Sequence, residues 1–167
     1  MNTAYLLFGS NINPGENIQK AKESLKARTR IVNLSSTWET HAVGNNGPNF
    51  LNCIVLVETG YSLEELKQNV INPIEAELGR VRTHDKYAPR TIDIDCIIFN
   101  GEQLDHEICR RIFIAVPLAE LNPGFYCSYE GMTVKEAAEA LCKREFIASG
   151  VKRIKGRLST CTLFFIL

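Results

Sequence analysis

The segment GRVRTHDKYAPRTIDIDCIIFN, residues 79–100, places a basic stretch directly before an apolar run that contains two acids. Within it, TIDIDCIIF (residues 91–99) alternates polar with apolar side chains, which is typical of a strand with one buried face. Successive side chains of a strand point to opposite faces, so Asp93 and Asp95 share one face with Cα atoms about 7 Å apart. The opposite face is expected to enter the core through Ile92, Ile94, Cys96 and Ile98.

Two neighbouring carboxylates repel each other unless a cation lies between them. Oxygen ligands suit Mg²⁺, and a pair of such ions about 3.5–4 Å apart suits phosphoryl chemistry. Alternation alone is more often the solvated side of a half-exposed strand. The adjoining basic residues change that interpretation, because cations beside a metal-binding acid pair are what a Mg²⁺-polyphosphate requires. These basic residues are Arg80, Arg82, Lys86 and Arg90.

Strands and helices are predicted to alternate around this segment. Strands are predicted at residues 4–8, 31–40, 50–59, 91–99 and 112–116. Helices are predicted to begin at Asn13-Pro14 and at two capping boxes, Ser62 with Glu65 and Thr133 with Glu136. Pro73 is expected to kink or locally break the second helix. This order predicts an α+β fold on a mostly antiparallel sheet.

The size and charge of the chain restrict its function. Its 167 residues suit a single domain, residues 1–167, in which residues 151–167 form an atypical basic and apolar tail. The tail is predicted either to dock on the core as an edge strand or helix extension, or to serve self-association. Lys+Arg and Asp+Glu balance at 19 each, so no general attraction to nucleic acid or an anionic membrane is expected. The oligomeric state stays open.

The cysteine pattern and the amino terminus bear on location. The six cysteines include no C-x-x-C pair, and several lie in apolar runs where a thiol behaves as a small core residue. The first residues lack a basic segment before a long apolar run, and no segment approaches the ~20 apolar residues of a membrane span. A cytoplasmic protein with reduced thiols is expected.

A second candidate site lies in the strand at residues 50–59. Phe50 and Asn52 share a face there, and an aromatic ring beside a carboxamide can stack a flat ring and bind its edge. Phe113 is a candidate for the opposite side of such a sandwich. A strand aromatic is more often a core residue, so this second site needs independent support.

Four motifs of the chain together carry a resemblance to a known family. They are FGSN, FLN, IEAELGRVR and PRTIDIDCIIFN, and they lie within residues 5–123. The chain thereby resembles the 6-hydroxymethyl-7,8-dihydropterin pyrophosphokinases. The resemblance implies a ferredoxin-like two- to three-layer sandwich with flanking helices. It also implies transfer of a pyrophosphoryl group from MgATP to a reduced pterin, with release of AMP.

The same resemblance implies roles for individual residues. Two Mg²⁺ ions, with ATP as co-substrate, would be held by Asp93 and Asp95, and charge on the transferred group would be stabilised by Arg80 and Arg90. The expected pterin contacts are Thr40, Val43, Phe50, Asn52 and Phe113. The expected ATP contacts are Glu75, Arg82, Tyr87, His106 and Arg111. The basic segment would be a catalytic loop that closes on the phosphates, with Tyr87 as an aromatic lid.

Two departures from the family pattern affect these expectations. Ala42 stands where the family commonly has a proline, which predicts a looser pterin-binding loop. The segment NGEQLDHEICRR, residues 100–111, is shorter than its family counterpart and lacks a proline pair around its histidine. A reduced nucleotide affinity is therefore expected.

Two other classes of function are alternatives to this enzyme. A non-catalytic binding module on a ferredoxin-like sheet would show no metal-dependent binding of a non-hydrolysable ATP analogue. An RNA-binding domain could use Phe50 and Phe113 as stacking platforms, but zero net charge and the paired acids oppose it. Steeply salt-dependent binding of single-stranded RNA would favour that class.

Overall fold

The computed structural model describes residues 1–41, 47–81 and 88–149. Helical backbone is described to residue 149, and side chains of that helix to residue 144. The expectations for Val43, Arg82 and Tyr87, and for the tail at 151–167, lie outside the described residues.

Among the described residues, the main sheet consists of six strands. They are β1 (Asn2–Ser10), β2 (Arg30–Leu34), β3 (Trp38–Thr40), β4 (Phe50–Thr59), β5 (Asp93–Phe99) and β6 (Glu102–Gln103). The order is β2-β4-β1-β5-β6, with β3 paired to β4, and each of these pairs is antiparallel. A separate two-stranded hairpin is formed by β7 (Tyr126–Cys127) and β8 (Met132–Thr133).

Helices cover both faces of the main sheet. They are α1 (Pro14–Lys26), α2 (Leu63–Leu66), α3 (Asn72–Glu77), α4 (Ile112–Leu121) and α5 (Val134–Ser149). One core cluster joins the sheet to α1, α2 and α3, and the other clusters join it to α4 and α5. The fold is thus a three-layer α+β sandwich of the ferredoxin-like type, as predicted. None of the described helices combines the length and the apolar character needed to cross a lipid bilayer.

Strand alternation decides which side chains face which helical layer. In β1, Leu6 and Phe8 pack toward α1 and α3, whereas Leu7 packs toward α4. In β4, Val55 belongs to the first of these clusters and Ile54 to the second. The face of the sheet toward α4 therefore carries Leu7, Ile54 and the residues spaced by two from them.

The prediction of a strand at residues 112–116 was wrong. These residues form the first half of α4, whose middle residues Ile114 to Leu118 are buried. An apolar run of this length fits a buried strand and a buried helix equally well, so periodicity cannot separate them. The edge of the sheet next to β5 is occupied by the short β6 instead.

The predicted alternation of β5 holds only in its first half. Tyr5 pairs with Ile98 and Leu6 pairs with Cys96, which leaves Ile97 as an extra residue in β5. Ile94 and Cys96 lie in the core toward α1 and α3, as predicted, but Ile98 packs with Ile97 on the α4 side. The bulge thus corrects the expected position of Ile98.

Both predicted capping boxes are present. The Ser62 hydroxyl accepts from the Glu65 backbone N–H, and the Glu65 carboxylate accepts from the Ser62 N–H at 2.8 Å. Thr133 and Glu136 repeat this arrangement before α5. The break expected near Pro73 appears as a wider π-helical turn at Lys67–Ile71, directly before α3.

Two other local predictions needed correction. Asn13 precedes α1 in a left-handed conformation (φ 42°) and makes no side-chain cap, although Pro14 begins the helix as expected. The single strand predicted at residues 31–40 is divided into β2 and β3 at Ser35. The Ser35 hydroxyl accepts from the Ile54 N–H at 2.8 Å, so this interruption remains bonded to β4.

Among the described cysteines, Cys109 and Cys127 form a disulfide. This corrects the expectation of reduced thiols for these two residues, whereas Cys53 and Cys96 are buried thiols as predicted. The bond joins the segment before α4 to β7. Sequence spacing does not determine which cysteines pair, because pairing depends on how the fold brings distant segments together.

Reducing this disulfide is expected to lower stability without unfolding the sheet. The bond closes a loop with a sequence separation of 18. Constraint of the unfolded chain over a loop of that length is worth about 3 kcal/mol. Urea unfolding with and without a dithiol reductant measures the difference.

The double variant Cys109→Ser/Cys127→Ser should match the reduced protein and should not respond to the reductant. Cys53→Ser, which lies outside the disulfide, should keep that response. An unfolding midpoint that the reductant leaves unchanged in the unaltered protein would contradict the prediction.

Candidate active site

Register across the sheet brings the predicted site residues into two adjacent rows. Gly9 of β1 pairs with Asn52 of β4 on one side and with Asp93 of β5 on the other. Leu7 pairs in the same way with Ile54 and Asp95. Paired residues share a face of the sheet. The Asn52 carboxamide and the Asp93 and Asp95 carboxylates therefore all lie on the face toward α4.

Gly9 keeps the middle of the first row open. A Cβ atom at this position would lie 3.2 Å from the Asn52 Oδ1 atom and 3.9 Å from the Phe50 Cδ1 atom. Any side chain on Gly9 would therefore occupy the space between the carboxamide and the carboxylates. Because Gly9 has no side chain, a flat ligand can lie close to the backbone between Asn52 and Asp93.

Three of the expected pterin contacts, Thr40, Phe50 and Asn52, lie close together on β3 and β4, and their role as pterin contacts stays a prediction. Thr40 pairs in register with Phe50, and the Asn52 Nδ2 atom donates to the Thr40 Oγ1 atom at 2.8 Å. Asn52 is buried and Phe50 half-buried. The structure thus brings together an aromatic face and two polar groups at its edge.

Asp93 lies between two arginines. Arg80 binds one of its carboxylate oxygens and Arg90 binds the other. Arg80 also donates to the Ile92 carbonyl at 2.8 Å, and the guanidinium carbon of Arg90 lies 5.9 Å from the centre of the Phe50 ring. The two predicted catalytic arginines therefore converge on the predicted metal ligand and reach the edge of the aromatic site.

One hydrogen-bond donor of Arg80 has no partner among the described residues. Its Nε–H is buried and finds no hydrogen-bond partner among the described residues. A buried donor left without a partner costs about 1–3 kcal/mol, so such groups in a folded protein call for a reason. An oxygen-rich ligand bound beside Asp93 would supply that reason.

Glu75 supports Arg80 from the opposite layer. Only 3% of Glu75 is exposed, and its Oε1 atom accepts from the Ile94 backbone N–H at 3.0 Å. The same oxygen lies 3.4 Å from Arg80 Nη1. Because β6 pairs with β5 at Ile98 and Phe99, it does not reach the backbone N–H of Ile94. The Glu75 carboxylate accepts from that N–H and also orients Arg80. Its predicted role as an ATP contact stays a prediction.

Asp95 extends from the second row toward solvent. Partial removal of water by the surrounding protein raises its pKa to about 6, and the negative charges of Asp93 and Glu75 contribute further. Arg80 opposes this increase, and Asp105 adds to it. Asp95 thus lies where negative charge is in excess, which suits a bound cation.

Asn11 is a positioning residue that the sequence reasoning missed. Its Oδ1 atom accepts from the Arg90 backbone N–H at 2.7 Å, and its Nδ2 atom donates to the Pro48 carbonyl at 3.4 Å. It therefore joins the segment before β4 and the segment before β5 to the end of β1. Asn11 is part of the FGSN motif, which was the available signal.

The remaining predicted contacts lie around the start of α4. Phe113 is in its first turn and packs at the edge of the core cluster between α4 and the sheet. Arg111 directly precedes α4 and donates to Glu107 at 2.6 Å. His106 is exposed and packs edge-on against Tyr129, with ring centres 4.3 Å apart. None of these contacts tests the predicted substrate roles, which stay predictions.

Comparison with known proteins gives a consistent result. The profile of the family described as 7,8-dihydro-6-hydroxymethylpterin-pyrophosphokinase (HPPK) matches residues 5–123. A 2-amino-4-hydroxy-6-hydroxymethyldihydropteridine pyrophosphokinase of Methylorubrum extorquens is 34% identical over 167 aligned positions, covering 93% of this chain and 100% of the relative. An enzyme of the same name from Bacillus subtilis is 34% identical, covering 72% of this chain and 78% of the relative.

Solved structures agree on the fold. A Plasmodium falciparum HPPK-DHPS variant with STZ-DHP superposes with a TM-score of 0.70 at 13% identity, covering 95% of this chain and 51% of that chain. The present chain thus spans about half the length of that neighbour, and at this identity the likeness concerns the fold alone. The family match and the two relatives carry the assignment: the chain belongs to the HPPK family, the pyrophosphokinases that act on a reduced pterin in folate biosynthesis.

Proposed function

We propose that this face of the sheet binds the two substrates of one reaction, Mg²⁺-dependent transfer of pyrophosphate from ATP to 6-hydroxymethyl-7,8-dihydropterin, with the pterin on the β4 side and the polyphosphate on the β5 side. The observation that carries this proposal is the convergence of Arg80, Arg90 and Asp93 beside Phe50 and Asn52. A polyphosphate beside the first group and a flat heterocycle on the second would have their reacting ends adjacent. Such positioning supplies a large part of catalysis in phosphoryl transfer.

The pterin would lie on the part of this face formed by Gly9, Phe50 and Asn52. Phe50 would stack on the ring, with Phe113 of α4 as the second aromatic group. The Asn52 carboxamide and the Thr40 hydroxyl would bind the polar edge of the ring, since together they offer donors and acceptors. Val43 is proposed as a further contact on the segment that follows β3.

Asp93 and Asp95 would hold Mg²⁺, and two ions are proposed. The excess of negative charge around Asp95 and the oxygen-only ligands fit a hard divalent cation. When bound, the cation would neutralise charge on the phosphate oxygens. ATP would additionally contact Glu75, Arg82, Tyr87, His106 and Arg111.

The arginines would stabilise the charge that develops during transfer. The pterin hydroxyl oxygen forms a bond to the β-phosphorus and loses its proton to solvent, while the bond from that phosphorus to the oxygen it shares with the α-phosphorus breaks, so that AMP leaves with that oxygen. Arg80 is held by Glu75 and the Ile92 carbonyl, so its guanidinium is already oriented before substrate binds. An oriented donor needs little rearrangement in the transition state, which is the main source of electrostatic catalysis.

A cytoplasmic location is proposed with this function. Disulfides are rare in reducing compartments, so the Cys109–Cys127 bond bears directly on this proposal. The redox state of the pair in cell extracts that are alkylated immediately after lysis would test it.

The reaction type is tested by its nucleotide product. With ATP, Mg²⁺ and 6-hydroxymethyl-7,8-dihydropterin, the chain should form AMP and pterin diphosphate in equal amounts, because the pyrophosphoryl group moves as a unit. Separation of the nucleotides by ion exchange measures this. Formation of ADP would show transfer of a single phosphoryl group and would exclude the proposed reaction.

Asp95→Asn is expected to lower kcat by about 10²–10³-fold, since a loss of electrostatic stabilisation at the transferred group has that size. The fold should persist, because the change removes a negative charge from a site with excess negative charge. Glu58→Gln is the matched control, since Glu58 is a β4 carboxylate that pairs with Arg30 at the far end of the sheet. Normal turnover by Asp95→Asn would remove the metal-binding role.

Gly9→Ala is expected to raise the KM for the pterin about tenfold and to leave the KM for ATP nearly unchanged. The added methyl would lie 3.2 Å from Asn52 Oδ1, and overpacking of this kind costs about 1–3 kcal/mol. Steady-state kinetics with each substrate varied in turn measures the two constants. Gly15→Ala, in α1 with open space around the new methyl, is the control. Equal effects of both variants on pterin binding would contradict the proposal that the pterin lies over Gly9.

A further inference from the structure

The short strand β3 carries Thr40, yet it has few backbone contacts to hold it. It spans only Trp38–Thr40 and pairs with β4 alone among the described strands. The Thr40 hydroxyl is nevertheless placed 2.8 Å from Asn52 Nδ2. Three residues of strand pairing are few to hold the Thr40 hydroxyl at hydrogen-bonding distance from Asn52. We therefore expect further contacts to fix the position of β3.

Glu120 of α4 provides two contacts to this segment. Its Oε1 atom accepts from the Trp38 indole N–H at 2.7 Å, and its Oε2 atom accepts from the Ser36 backbone N–H at 2.7 Å. Each oxygen thus serves one donor, and both donors belong to the chain that enters β3. Hydrogen bonds to a carboxylate are shorter and stronger than neutral ones.

The location of Glu120 is unfavourable for the helix itself. It lies one residue before the end of α4, where the helix dipole disfavours negative charge. The benefit of a glutamate at this position therefore comes from its contacts with Trp38 and Ser36.

Trp38 adds an apolar contact to the same anchor. Only 7% of Trp38 is exposed, and it packs in one cluster with Ala115 and Val116 of α4 and Ala138 and Leu141 of α5. Its backbone pairs in register with Asn52. The ring thus secures β3 to the helical layer directly beside the carboxamide of the site.

We propose that Glu120 is a positioning residue for the pterin end of the site. Through Trp38 and Ser36 it holds β3 against α4, so that the Thr40 hydroxyl and the Asn52 carboxamide present a fixed polar edge. This inference rests on the proposed binding of the pterin at Asn52 and Thr40. Glu120 acts through β3 and has no contact with the reacting atoms.

The first test compares Glu120→Gln, Glu120→Ala and Trp38→Phe in the full chain. Glu120→Ala removes both charge-assisted hydrogen bonds and should raise the KM for the pterin at least about tenfold. Glu120→Gln should have a smaller effect, because its amide oxygen still accepts one bond. The KM for ATP should change less than twofold. Trp38→Phe keeps an aromatic ring but removes the indole donor, so it should resemble Glu120→Gln.

The second test uses fluorescence, because Trp38 is the single tryptophan of the chain. Glu120→Gln should shift its emission and increase its quenching by acrylamide. Glu23→Gln is the matched control, since Glu23 lies near the end of α1 and bonds within its own helix to Gln19. It should alter neither the emission nor either KM value.

A coupling measurement completes the design. If the two side chains act together, Glu120→Gln should raise the pterin KM less in the Trp38→Phe background than in the unaltered chain. Unchanged KM values in Glu120→Ala, or an equal rise for pterin and ATP, would overturn the positioning role while leaving the proposed function intact. Absence of pterin-dependent AMP formation by the unaltered chain would instead overturn the proposed function and this inference with it.

Discussion

The pairing of Asp93 with both Arg80 and Arg90 is the interaction on which the site depends. All three side chains are largely buried, so leaving either partner unpaired would cost several kcal/mol. The pairing also fixes the start of β5 in relation to the end of α3, which Arg80 follows closely. A site built in this way keeps two guanidinium groups beside the place where a polyphosphate would lie, and Asp93 offsets only part of their charge.

The main features of this arrangement were available in the sequence, because they follow from alternation within single strands. Asp93 with Asp95, and Phe50 with Asn52, share faces for the same reason of period two. The pairing of Asn52, Gly9 and Asp93 across three strands was not available, since register depends on contacts between distant segments. The bulge at Ile97 and the Cys109–Cys127 bond escaped prediction for the same reason.

The wrong assignment of residues 112–116 has a functional consequence. As a strand, this segment would have extended the sheet and left its polar face uncovered. In the structure this segment is the first half of α4, and the helix crosses that face. Phe113 lies in the first turn of the helix and Glu120 lies near the end of the helix. One helix thereby carries a candidate aromatic contact of the site and the anchor of β3. No local pattern marks Glu120, because its partners lie more than 80 residues earlier in the chain.

The two arginines and the two polar groups proposed to bind the pterin edge are held in different ways, and the difference follows from charge. Arg80 and Arg90 are fixed by carboxylates and a backbone carbonyl, since a cation near the interior needs compensation at short range. Asn52 and Thr40 are neutral and weakly bonded to each other, so their order must come from the strands that carry them. Charged groups fixed around the start of β5, together with a neutral edge that depends on β3, imply that changes in the helical layer would affect the proposed pterin contacts first. Arg80 and Arg90, the proposed phosphate contacts, depend less on the helical layer because their own ion pairs hold them.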